Sequence, residues 1–120
     1  MKILIADDNE MNRSLIVALL QRKGHEVLEA EDGAQAVKLA KGHIPDLIIM
    51  DIQMPVLDGV TALRMLRADE SVKNIPVIAL TSYAMKGDKE RFLDAGFDSY
   101  ISKPFTTKDV INIIEQYIDK

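Results

Sequence analysis

The sequence predicts an α/β domain: one doubly wound parallel sheet of five strands in the order 2-1-3-4-5, with five helices on its two faces. Strand-like and helix-like segments alternate five times along 120 residues, the pattern of a parallel sheet with crossover helices. The apolar runs are continuous rather than alternating, as strands covered on both faces should be. Four of them end on polar residues of different kinds: Asp7-Asp8, Asp51, Thr81 and Lys103-Pro104. In open sheets of this class, ligands bind outside the carboxyl ends of the strands.

The first strand is Lys2 to Ala6. A helix follows from about Glu10 to Lys23, with Leu15, Ile16, Leu19 and Leu20 as its apolar side and Gly24 as its stop. Strand two, Glu26 to Ala30, is more polar and belongs at an edge. Asp32 is placed to cap helix two, where Gly33, Ala36, Val37 and Ala40 recur at helical spacing, and Pro45 closes the connection. Leu47 to Met50 is the most apolar run and the expected sheet centre. The loop Met54 to Gly59 leads into helix three, with Ala62, Leu63 and Leu66 facing inward. Strand four is Val77 to Leu80. Helix four, roughly Met85 to Ala95, carries only a thin apolar side of Phe92, Leu93 and Ala95, and Gly87 weakens its start. Strand five is about Ser99 to Ser102. Helix five begins near Thr106 and presents Val110, Ile113, Ile114, Tyr117 and Ile118 as a clean stripe.

Composition narrows the function. The hydrophobic share of 48% is that of a globular chain, and the longest apolar runs are far too short to span a bilayer. Cysteine is absent, which removes disulfides and thiolate metal sites. With 19 acids against 15 bases the net charge is −4, which argues against direct nucleic-acid binding. With no leader or membrane segment visible, the expected location is cytoplasmic, and the expected organisation is one domain over residues 1–120 with no output domain. His25 and His43 are expected to be solvated, the six methionines to be mostly core filler, and the charges from Lys86 to Arg91 to form a wet helix face.

Asp7 and Asp8, taken alone, could merely favour the start of the helix that follows them. Combined with Asp51, Thr81 and Lys103 at corresponding strand ends, they describe a site. Three carboxylates side by side repel one another unless a cation sits among them. Magnesium prefers hard oxygen ligands and keeps several waters, so two carboxylates, a main-chain carbonyl and water suit it. A carboxylate oxygen can then attack phosphorus, while an ammonium and a hydroxyl steady the phosphoryl oxygens.

Asp7-Asp8-Asn9, Met50-Asp51-Ile52-Gln53-Met54-Pro55, Asp58-Gly59, Ala79-Leu80-Thr81 and Tyr100-Ile101-Ser102-Lys103-Pro104 together resemble the receiver domain of two-component response regulators, in order and over the whole chain. The run Tyr83 to Asp88 resembles stand-alone regulators of the DivK type, and receivers of hybrid sensor kinases share much of the same wording. The resemblance implies a flavodoxin-like fold and a phosphorylation switch. In it Asp51 accepts a phosphoryl group from a sensor histidine kinase or histidine phosphotransfer protein, becoming an aspartyl phosphate. It implies magnesium, with manganese able to substitute, held by Asp8, Asp51 and the Gln53 main-chain carbonyl, with Asp7 acting mainly through water. Lys103 would contact the phosphoryl oxygens across a cis bond to Pro104, Thr81 would move to the phosphoryl group, and Tyr100 would swing inward behind it. Gln53 and Tyr83 occupy the family's variable positions around the site. The only catalysis implied is of the domain's own phosphorylation and dephosphorylation.

The expected output is a population shift read by a downstream protein on a face made of helix four, strand five and helix five, with Ile111 as a candidate contact. The alternative is a receiver segment of a hybrid histidine kinase acting in a phosphorelay. Two rivals share the fold: a flavin or nucleotide module, which would need a glycine-rich phosphate loop where Asp7-Asp8-Asn9 stands, and an aspartate-based phosphatase, for which no cap segment is visible.

Overall fold

The strands β1 (Lys2–Ala6), β2 (Glu26–Ala30), β3 (Leu47–Asp51), β4 (Val77–Thr81) and β5 (Ser99–Ser102) form one parallel sheet ordered β2-β1-β3-β4-β5. The computed structural model describes residues 1–82 and 88–118. The helices are α1 (Glu10–Arg22), α2 (Gly33–His43), α3 (Gly59–Arg67), α4 (Asp88–Ala95) and α5 (Thr107–Glu115). The expected order holds throughout. Asp51 and Thr81 are themselves the last residues of their strands, one position further than the apolar pattern alone marks. The run from Tyr83 to Gly87, including the expected start of helix four and the variable position Tyr83, lies outside the described residues.

Period-two alternation divides the strand side chains between two cores. Leu4, Ala6, Ile48, Met50, Val77 and Ala79 pack with Val37 of α2, Leu63 of α3 and Phe92 of α4. Ile3, Ile5, Ile49, Ile78 and Leu80 pack with Ile16 and Leu20 of α1 and Val110 and Ile114 of α5. Each central strand is buried on both sides, which is why its sequence reads as an unbroken apolar run.

Side-chain caps set the helix starts, as expected at Asp32 and Thr106 and in addition at Asp58. Asp32 accepts from the Gln35 amide, Asp58 from Thr61, and Thr106 and Asp109 form a reciprocal capping box. Four expectations are corrected. Leu15 is 58% exposed, because it stands about 100° around α1 from Ile16; Arg13 takes its place on the inward stripe with Ile16 and Leu20. Met50 is core, but Met11 and Met65 are exposed. His25 is half-buried, with its Nδ1 3.1 Å from the N-terminal ammonium, and burial lowers its pKa. Ile111 lines an apolar hollow against Leu20 and His25 of the α1 side, whereas Ile113 lines the groove between α5 and β5.

Arg67, at the end of α3, ties the lower edge of the sheet. It donates to the carbonyls of Lys73, Ile75 and Gly96 and to the Asp98 carboxylate, which also accepts from the Val77 amide. At the opposite edge two glycines allow backbones to touch. A Cβ on Gly59 would overlap the Asp51 carbonyl oxygen, and one on Gly33 would overlap that of Leu57. The Gly59 amide donates to Ile52 O at 2.9 Å, so α3 starts directly against the end of β3. Gly59→Ala is therefore expected to destabilise the fold by about 1–3 kcal/mol, as overpacking typically does, measured by urea unfolding.

Candidate functional site

The site lies where the strand order reverses, between the carboxyl ends of β1 and β3, the position at which open parallel sheets bind ligands. Parallel in-register pairing brings the strand ends together: Ala6 pairs with Met50, so Asp7 and Asp51 each follow by one residue. Asp51 pairs with Leu80 and Thr81 with Ser102, which puts Thr81 and Lys103 at the adjoining ends of β4 and β5.

One carboxylate oxygen from each of Asp7, Asp8 and Asp51 lies within 4.8 Å of the other two. Asp7 and Asp51 are buried and Asp8 is exposed. Lys103 Nζ donates to Asp51 Oδ2 at 3.0 Å and stands 3.5 Å from Asp7 Oδ2. The Lys103 amide donates to Thr81 O at 2.7 Å, which fastens the loop after β5 to the end of β4. The Lys103-Pro104 bond is cis, as expected. Asp51 Oδ1 accepts from the Gln53 amide at 3.1 Å, and Asp7 Oδ1 accepts from the Asn9 amide at 2.9 Å. Asp7 Oδ2 is fully buried and accepts no hydrogen bond from the described residues.

That environment sets the Asp7 charge. Burial first, and the neighbouring Asp51 carboxylate second, push its pKa up to about 6, against the opposing pull of the Asn9 amide and Lys103. The structure thus brings Asp7, Asp8, Asp51 and Lys103 into one pocket, with Thr81 buried at its β4 wall and Gln53 on the loop that leaves Asp51. Tyr100 is half-buried on β5, packed against the core beneath α4.

The sequence gives Asn9 only as part of a motif, without its supporting role, and does not single out Arg13 at all. Asn9 caps α1 through its side chain and supplies the amide on Asp7. Arg13 donates from Nη1 to Asp7 O at 2.8 Å and from Nε to Glu29 Oε1 at 3.1 Å. Its signal was an arginine three and seven residues ahead of the buried Ile16 and Leu20.

The model of the response regulator receiver domain family matches residues 3–115. The polar-differentiation response regulator DivK of Brucella ovis is 42% identical over 116 residues, 97% of this chain and 94% of that protein. The receiver domain of sensor histidine kinase PA1611 from Pseudomonas aeruginosa, solved with magnesium coordinated in its active-site cleft, superposes with a TM-score of 0.90. It is 40% identical, with 99% and 98% of the two chains covered. Chemotaxis response regulator CheY4 of Vibrio cholerae superposes with a TM-score of 0.91 at 28% identity, covering 98% of each chain. A doubly wound sheet with an acidic pocket at its switch point is thus joined to a match along nearly its full length. The chain belongs to the response regulator receiver domain family of two-component signalling. Along its length it is DivK-like.

A carboxyl whose pKa is raised on folding holds its proton more tightly folded than unfolded, so stability falls as pH rises from about 4 to about 6. In metal-free protein, Asp7→Asn is expected to remove that fall and to raise the melting temperature at pH 7 above wild type. Thermal unfolding across pH 4 to 7 in a chelating buffer measures both.

Proposed function

We propose that the domain is a magnesium-dependent phosphoryl switch in which Asp51 accepts a phosphoryl group from a phosphohistidine donor, a sensor histidine kinase or histidine phosphotransfer protein. The observation that carries this reading is the pocket's charge: three clustered carboxylates against the Lys103 ammonium, with one buried carboxylate oxygen accepting no hydrogen bond from the described residues. All the donors are hard oxygens, which fits magnesium and, less selectively, manganese. Asp8, Asp51 and the Gln53 main-chain carbonyl would hold the ion, with Asp7 acting through water. Bound magnesium would neutralise charge between the acids and the incoming phosphoryl oxygens.

The chain's own groups then have distinct roles. Asp51 Oδ1 is held by the Gln53 amide and Oδ2 by Lys103, so the attacking carboxylate is oriented before the donor arrives. Its oxygen forms the bond to phosphorus as the bond to the donor nitrogen breaks. Lys103 sits within reach of the developing negative charge, and phosphoryl transfer depends mainly on such positioning and charge stabilisation. Thr81, through its hydroxyl, and Tyr100, by turning inward on β5, would carry the change outward. The domain would catalyse nothing beyond its own phosphorylation and dephosphorylation.

Driving a two-state equilibrium from mostly off to mostly on takes about 5.5 kcal/mol of differential stabilisation, of which new bonds to Thr81 and Lys103 would supply a part. The output face would be α4, β5 and α5, read by a protein partner. The groove between β5 and α5, about 330 Å³ and bordered by Tyr100, Asn112 and Ile113, lies on that face. The mild net acidity speaks against nucleic acid as the direct partner. No helix among the described residues is long and apolar enough to cross a membrane. A place within a hybrid-kinase phosphorelay is the second reading, favoured by the 40% identity to a sensor-kinase receiver.

Incubation with magnesium and acetyl phosphate is expected to add one phosphoryl group by intact mass. Asp51→Asn is expected to abolish the gain, and Lys103→Ala to slow it by at least tenfold; an undiminished gain in Asp51→Asn would show that another residue is the acceptor. Amide shifts on phosphorylation are expected around Thr81, β5 and α5, including Ile113. Shifts confined to α2 would refute the proposed output face.

A further inference from the structure

We infer that Arg13 is a positioning residue for the acidic pocket, fixing the peptide between Asp7 and Asp8 and thereby the aim of both carboxylates. The inference rests on the reading of the pocket as a magnesium site. Arg13 lies on the second turn of α1, with its side chain only 10% exposed. Its guanidinium runs back beneath the loop after β1 and spans two anchors, the Asp7 carbonyl at 2.8 Å and the Glu29 carboxylate on β2 at 3.1 Å. Glu31, 70% exposed and 3.8 Å away, adds only a loose ion pair.

The consequences follow from the backbone of Asp7. Its amide donates to Ala30 O at 3.1 Å, and its carbonyl accepts from Arg13, so the peptides on both sides are held. The carbonyl bond fixes the plane of the peptide leading to Asp8, and so the direction in which the Asp8 Cα departs. Asp8 is the exposed member of the acidic trio, and without that bond mutual repulsion would swing it toward solvent. Glu29 in turn fixes the guanidinium and balances its charge, while Arg13 shares with Asp8 the lining of a polar hollow beside the acids. Only a planar fork bridges two acceptors in this way; a lysine ammonium at the same place is a single point on a flexible stem. Groups that orient metal ligands are typically worth ten- to a hundredfold in affinity, roughly the range expected here.

The test is magnesium titration by calorimetry on the whole chain, at a temperature where circular dichroism shows each variant folded. Arg13→Met is expected to weaken magnesium binding at least tenfold, and Arg13→Lys is expected not to restore it. Glu29→Ala, on a half-exposed side chain outside the pocket, is expected to weaken binding several-fold, and the double variant to be no worse than Arg13→Met alone. Glu31→Gln removes the same charge from the same side and is expected to leave affinity within twofold. Full rescue by lysine, additive losses in the double variant, or equal losses from Glu29→Ala and Glu31→Gln would each overturn the inference. Should Arg13→Met fail to fold, the comparison of Glu29→Ala with Glu31→Gln decides. A wild-type chain that takes up no magnesium would refute the pocket reading and the inference with it. Wild-type uptake unchanged in the Arg13 and Glu29 variants would refute the positioning role alone.

Discussion

Lys103 stands 3.0 Å from Asp51 and 3.5 Å from Asp7, and the charge balance at the mouth of the sheet turns on that ammonium. Unit charges about 4 Å apart interact by roughly 4 kcal/mol at an effective dielectric of 20. Three clustered carboxylates make three repulsive pairs, against which Lys103 makes two attractive ones. Asp8 is exposed, so water screens its share. Asp7 has no such relief, and it answers by holding its proton up to about pH 6. A cation placed among these acids would offset both the repulsion and the cost of burial.

The fold supports that imbalance by making the strand ends stiff. Asp7, Asp51 and Lys103 are far apart in sequence and meet because β1, β3, β4 and β5 pair in parallel register. Buried strands on both sides of the pocket leave no slack for the carboxylates to separate. The amides of Asn9 and Gln53 point back at the acids that precede them by two residues, an arrangement in which each turn braces its own functional side chain. At the far edge, Arg67 gathers the entries of β4 and β5. Chemistry sits at one end of the sheet and mechanical anchorage at the other.

The sheet order, the strands and the caps were legible because each rests on local chemistry: continuous apolar runs, Asp32, Thr106 and glycine stops. The acids, Thr81 and Lys103 were legible because each ends a strand. What escaped the sequence needed three dimensions. Leu15 reads as part of an apolar cluster, yet helical phase turns it outward and brings Arg13 in. Ile111 and Ile113 are both apolar and two residues apart, but the helix sends one toward α1 and the other toward β5. Arg13 and Arg67 look like ordinary surface charges until their carbonyl partners, drawn from other elements, are known.

Gly33 and Gly59 hold the connection between Asp51 and α3 from two sides, each where a methyl group would collide with a main-chain oxygen. The backbone of that connection is therefore not open to revision. The side chains it displays are: Gln53 and Val56 both project outward, Val56 with 81% of its surface in water. Divergence in this stretch can rewrite what a visiting partner or water molecule encounters at the rim while the scaffold beneath stays the same. A loop of fixed shape thus carries exchangeable surface chemistry beside Asp51.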